Sequence, residues 1–241
     1  MRSVAGFAAA CIAVASMVCN SCAIAEATAD GAALDHVLLF SGTDLWRNGG
    51  FMHGGLLWSP RGLTNEGFTL KLLMAGGAYR YRSGAAEITG GMGLAALMPG
   101  WRVMTGGLEV LVYAGPELQF HRLWPDDPGN RLRRSHGGAR AGIDIWTEPS
   151  DRTMLALSFS GSTIGPNYWT RVAFGWRVLD AAWIGPETGA LGDMTYRQFR
   201  LGAHVTGLRT KVLEWSAGAG YAADSDRRDG IYGHLGFVMR R

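Results

Sequence analysis

The sequence predicts an all-β fold: a transmembrane, antiparallel, up-and-down β-barrel of about twelve strands, after a cleaved N-terminal signal peptide. Three observations lead there. From about residue 36 onward, short segments alternate apolar and polar residues, so each reads as a strand with one face for lipid and one for an interior. No apolar run in that region is long enough for a membrane helix. Ahead of it stands a leader: Arg2 is a positive n-region, Val4 to Val18 is apolar apart from Ser16, and Ala23-Ile24-Ala25 before Glu26 is a small-x-small cleavage pattern.

Cleavage after Ala25 leaves 26–241 as a single barrel domain, undivided by linker or low-complexity sequence. Cys11, Cys19 and Cys22 all lie in the leader, so the mature chain needs no disulfide in an oxidising compartment. Neither Cys19 nor Cys22 follows the apolar-then-small run of a lipidated cysteine.

Twelve segments carry the alternation in order: 36–46, 50–58, 67–82, 86–98, 107–121, 135–147, 152–163, 168–178, 181–190, 196–207, 211–222 and 230–239. In the fifth, Leu108, Val110, Val112, Ala114, Pro116, Leu118 and Phe120 oppose Glu109, Leu111, Tyr113, Gly115, Glu117, Gln119 and His121. The tenth sets Arg197, Phe199, Leu201, Ala203 and Val205 against Tyr196, Gln198, Arg200, Gly202, His204 and Thr206. The eleventh sets Leu213, Trp215, Ala217, Ala219 and Tyr221 against Glu214, Ser216, Gly218 and Gly220. An even strand count suits closure, and a first strand starting in the periplasm puts even-numbered connections on that side. Those at Met104 to Gly106, Glu148 to Asp151, Leu179 to Asp180 and Leu208 to Thr210 are short, with Ser59 to Glu66 the exception. The longer stretches Arg122 to Arg134 and Asp224 to Asp229 fall outside the cell.

The formal charge of +3 comes with two lysines, Lys71 and Lys211, so nearly all the positive charge is arginine, scattered without the stripe that nucleic acid requires. Glycines inside strands, such as Gly76-Gly77 and Gly90-Gly91, mark bends or close approach. Trp101, Trp146, Tyr168, Trp169, Trp176, Trp183 and Tyr196 fall near strand ends and read as interfacial belts. One hairpin is used twice: Gly100-Trp101-Arg102-Val103 leads to Gly115-Pro116-Glu117, and Gly175-Trp176-Arg177-Val178 to Gly185-Pro186-Glu187. Proline cannot donate to a ladder, so each Gly-Pro pair predicts a bulge that turns the next glutamate inward.

These passages, with Ser41-Gly42-Thr43-Asp44-Leu45-Trp46, Gly54-Gly55, Gly67-Phe68, Tyr79-Arg80-Tyr81 and Gly230-Ile231-Tyr232-Gly233, resemble the cellulose biosynthesis protein BcsS family over nearly the whole mature chain. The resemblance implies a signal-peptide-bearing outer-membrane protein of alphaproteobacteria. It also implies association with cellulose and other cellulose-synthesis components, in export or surface anchoring of the polysaccharide. It carries over no catalytic residues.

Projecting polar faces inward collects Glu109, Glu117, Arg140, Asp144, Arg171, Arg177, Glu187, Arg200, His204 and Glu214, with Lys71, Glu87, His136 and His234 beside them. Tyr113, Tyr79 and Trp183 are rings that could stack on sugars. Such a lining either pairs across the lumen and plugs it or borders a narrow wet path for a glycan. The alternatives are an outer-membrane enzyme acting on envelope lipid or glycan, and a passive small porin. Ser158, Ser160 and Ser162 share a strand face with no histidine placed beside them, and Glu117 with Glu187 would need to face across a cleft for glycoside hydrolysis. No cofactor is expected and no metal: the histidines lack ligand spacing, and Asp224, Asp226 and Asp229 are interleaved with Arg227 and Arg228. The partners expected are outer-membrane lipid and the cellulose machinery, not nucleic acid.

Overall fold

A computed structural model describes residues 35–241. The proposed leader and its cleavage site at Ala25 lie outside them. Twelve antiparallel strands run β1 (Val37–Trp46), β2 (Gly49–Trp58), β3 (Gly67–Ser83), β4 (Ala86–Thr105), β5 (Leu108–Trp124), β6 (Arg134–Ser150), β7 (Thr153–Ser162), β8 (Asn167–Val178), β9 (Ala182–Gly192), β10 (Arg197–Thr210), β11 (Leu213–Asp224) and β12 (Gly230–Arg240). Each pairs with its chain neighbours, and β12 closes on β1 from Leu38↔Arg240 to Trp46↔Tyr232. Closure matters because lipid offers no hydrogen bonds to a free strand edge. Every predicted segment is a strand, although β4, β5 and β6 run past their predicted ends. The turns are tight enough to need left-handed backbone: Gly106 and Gly107 have φ of 55° and 83°, as a two-residue hairpin loop demands.

The Gly-Pro expectation is corrected. Both glutamates point inward, but neither pair makes a bulge, since the register on either side of each is unchanged. The ladder instead skips a step. Between β4 and β5 it breaks after Ala96↔Glu117 and resumes in register at Gly100↔Tyr113, so the gap holds both Pro99 and Pro116. Between β8 and β9 it breaks after Ala173↔Glu187 and resumes at Trp176↔Ile184. A proline without an N–H leaves the carbonyl facing it without a ladder donor, and that carbonyl occupies the space an adjacent side chain would fill. A Cβ on Gly115 would stand 2.1 Å from the Leu97 oxygen, and one on Gly185 would stand 2.0 Å from the Phe174 oxygen. Glycine before proline is therefore a steric requirement. The register shifts that do occur lie at Thr206/Leu208 and Thr147/Ser150.

The outer wall is apolar at membrane depth. On β3 the outward column Phe68, Leu70, Leu72, Met74, Gly76, Ala78 ends at Arg80 and Arg82. From Phe68 to Ala78 the tilted strand climbs about 25 Å, the height of the apolar band of such barrels. At the end carrying the chain termini, Trp58, Phe68, Trp101 and Trp176 are exposed in a girdle. Of the aromatics assigned to belts, Trp146, Trp169, Trp183 and Tyr196 instead point inward and are buried. A barrel of this girth has an interior wide enough to need large rings as filling.

The interior is also not polar all round. From β1 to β5 the inward positions include Leu38, Phe40, Phe51, Leu73, Met98 and Leu111, part of one buried apolar cluster. Lipid or detergent closes around a truncated outer-wall side chain, whereas the packed interior is left with a cavity. Leu73→Ala, at a residue only 1% exposed, is expected to cost about 3 kcal/mol. Its neighbour Met74→Ala, outward and 59% exposed, leaves no cavity but loses the transfer of its side chain from water to detergent, and is expected to cost about 1 kcal/mol in detergent unfolding titrations with urea.

Candidate functional site: the polar interior

The rest of the lumen is filled by charged and hydroxylated side chains that the strand pairing brings together. On β5 the inward residues Glu117, Gln119 and His121 bond along the strand: Gln119 Nε2 donates to Glu117 at 2.9 Å, and Gln119 Oε1 lies 3.0 Å from His121 Nε2. Glu117 Oε1 also accepts from Arg140 Nε at 3.0 Å and Nη2 at 2.8 Å, and Glu117 Oε2 from the Ser162 hydroxyl. Arg140 Nη1 donates to Ser160 Oγ at 3.1 Å. This pair is almost fully buried, with side chains 1% and 0% exposed.

A second chain follows β10. Arg200 Nε donates to Gln198 at 2.7 Å, Gln198 Nε2 to the Tyr196 hydroxyl at 2.9 Å, and that hydroxyl to Asp224 at 3.2 Å. Arg200 Nη1 reaches Asp44 on β1 at 2.7 Å, and the guanidinium lies between the rings of Trp46 and Tyr232. Beside it Glu187 accepts from Arg171 Nε at 2.8 Å, the Tyr232 hydroxyl at 2.8 Å and His234 Nε2 at 2.9 Å. Nearer the termini, Lys71 donates to Asp144 at 2.9 Å over the Tyr113 ring, and Arg102 meets Glu109 at 3.0 Å. Arg177 pairs with Glu148 and stacks on Trp183, Arg209 meets Glu214 at 3.4 Å, and His204 bridges Thr206 and the Phe174 carbonyl.

The eleven residues Glu109, Tyr113, Glu117, Arg140, Asp144, Arg171, Arg177, Glu187, Arg200, His204 and Glu214 thus all face inward, joined by His136 and His234. Glu87 does not: Ile88 takes the inward position, and Glu87 faces out opposite Arg82 on β3. Sequence reasoning missed Asp44, His53, Arg102 and Glu148 as lining residues. Their strand parity was the available signal.

Around Asp44, Arg171, Glu187, Arg200, Tyr232 and His234 the residual cavity is about 30 Å³, room for about one water. Glu117 and Glu187 are each engaged by an arginine and further donors, so neither is a free carboxylate beside a cleft. Ser158, Ser160 and Ser162 are buried, and the last two are tied to Arg140 and Glu117. Among the described residues no group of histidine, cysteine and carboxylate side chains could hold a metal ion. At the far end, Asp224 and Asp229 accept backbone N–H groups of their own loop.

Buried pairs are weakly screened by salt, unlike exposed ones. The apparent melting temperature of the detergent-solubilised barrel is therefore expected to change by no more than about 3 °C between low salt and about 1 M salt. A network held by exposed pairs would lose more.

A family model described as cellulose biosynthesis protein BcsS matches residues 38–241. No curated protein matches the chain. Among solved structures, a KdgM porin is 11% identical, with 84% of this chain and 98% of that chain covered and a TM-score of 0.44. The transport unit of the autotransporter AIDA-I from Escherichia coli is 12% identical over 90% and 93%, with a TM-score of 0.48. The translocator domain of the autotransporter NalP from Neisseria meningitidis is 13% identical over 88% and 90%, with a TM-score of 0.47.

Proposed function

The chain belongs to the cellulose biosynthesis protein BcsS family, and on that premise we propose a non-catalytic outer-membrane barrel that assists cellulose export by anchoring the polymer or its machinery at the cell surface. The observation that carries this reading is a lumen closed at mid-height. Lys71, Arg102, Arg140, Arg171 and Arg200 are each held by a carboxylate, and the gap among the central groups is about 30 Å³. A single glucose unit of a glucan chain fills several times that volume. In this reading the eleven inward residues hold the wall closed, while contact with cellulose or with partner proteins falls to the rims and loops. Residues 1–25 serve as the secretion signal, and 26–241 form the mature domain.

Deletion is expected to reduce dye-binding cellulose outside the cell while leaving synthase activity in inner-membrane vesicles intact. Purified barrel in a planar bilayer is expected to give no steady conductance. Unchanged surface polymer would sink the anchoring role, and a stable open channel would return the assignment to a porin or polysaccharide conduit.

A further inference from the structure

At the end opposite the termini, the outer wall carries a cleft of about 630 Å³, separate from the polar interior. Five arginines line it: Arg47 from the β1–β2 turn, Arg80 and Arg82 from β3, and Arg227 and Arg228 from the β11–β12 loop. Glu87 and Asp226 are the carboxylates among them, leaving a net positive charge. Arg80, Arg82, Arg227 and Arg228 have no carboxylate within ion-pair distance among the described residues. Arg228 Nη2 is buried with no hydrogen-bond partner.

The cleft is also built. Asp224 ties three of its lining residues together, accepting from Asn48 Nδ2 at 3.4 Å and from the backbone N–H groups of Asp226 and Arg228, and it is itself anchored by the Tyr196 hydroxyl at 3.2 Å. Arg47 donates to the Asp229 carbonyl at 2.9 Å, and Asn48 O accepts from the Arg80 backbone at 2.8 Å. Unpaired guanidiniums presented as rigid forks are suited to phosphate oxygens, which they bind bidentately.

Position selects the kind of phosphate. Arg80 and Arg82 continue the outward column that starts at Phe68 and is apolar through Ala78, so a molecule held by them extends along that wall into the hydrocarbon. The long connection 125–133 lies at this same end, which makes it the external one by the loop-length rule for such barrels. We propose that this cleft binds the phosphate groups of a glycolipid of the outer leaflet, seating the barrel against its lipid surroundings.

The test uses the purified barrel in neutral-detergent micelles with three probes: bisphosphorylated lipid A, the same lipid dephosphorylated, and inorganic phosphate. Only the bisphosphorylated lipid is expected to bind and raise the melting temperature. The variant Arg80→Gln/Arg82→Gln/Arg227→Gln is expected to bind it at least about tenfold more weakly, with heat-modifiable mobility confirming a folded barrel. Lys211→Gln, at the opposite end, is expected to bind as wild type. Should the triple variant not fold, the exposed Arg82→Gln alone is expected to weaken binding measurably. Equal binding by the glutamine variants or by the dephosphorylated lipid overturns the site, and an equal response to inorganic phosphate overturns the lipid as its occupant.

Discussion

Glu117→Ala is expected to destabilise the barrel by about 3–5 kcal/mol, because it leaves the Arg140 guanidinium buried without its carboxylate. Arg140 is 1% exposed and would keep only Ser160 as a partner, while Gln119 and Ser162 would lose their shared acceptor. An unsatisfied buried donor bears its full desolvation cost, whereas replacing both partners by apolar groups removes the requirement. Glu117→Leu/Arg140→Met is therefore expected to lie within about 1 kcal/mol of wild type or above it. Urea unfolding in detergent, followed by tryptophan fluorescence, measures both. A cost below about 1 kcal/mol for Glu117→Ala would mean that water reaches this pair and that the lumen is open at that depth.

The strand plan was legible because alternation depends only on neighbouring residues and repeats twelve times. What failed was the assumption that polar always means inward. At the rim opposite the termini the outward face lies above the hydrocarbon, so Arg80, Arg82 and Glu87 point out while Tyr81 and Ile88 point in. On β1 the same inversion has a local cause: Ser41 and Thr43 face out with their hydroxyls bonded to the carbonyls of His53 and Phe51, which leaves Asp44 on the buried side. The inward polar residues of β5 and β10 were readable, but their partners were not. Lys71 and Asp144 are 73 positions apart, and Asp44 and Arg200 are 156 apart. Such pairs meet only once closure and stagger are set, which no single strand encodes. The Gly-Pro motif was seen and misread for a related reason, since its effect falls on the strand beside it.

That neighbour effect makes Gly185→Val the other substitution of large consequence. The Phe174 carbonyl, opposite Pro186 and so lacking a ladder donor, sits where a Cβ would go and instead accepts from His204 Nε2 at 3.1 Å. A side chain at 185 must displace that oxygen, and because the obstacle is backbone in a closed ladder the cost is expected to exceed about 3 kcal/mol, the upper end for overpacking. Gly115→Val, the twin position against the Leu97 oxygen, is expected to behave alike. Gly93→Ala is the contrast, because a Cβ there meets nothing within 4 Å. Its expected change is under about 0.5 kcal/mol. If the mechanism is the shared carbonyl, Gly185→Ala and His204→Ala are coupled: in the Gly185→Ala background, removing His204 is expected to cost at least about 0.5 kcal/mol less than in the wild type. Strict additivity of the two would show that Gly185 only relieves local crowding, and that the histidine bond is independent of it.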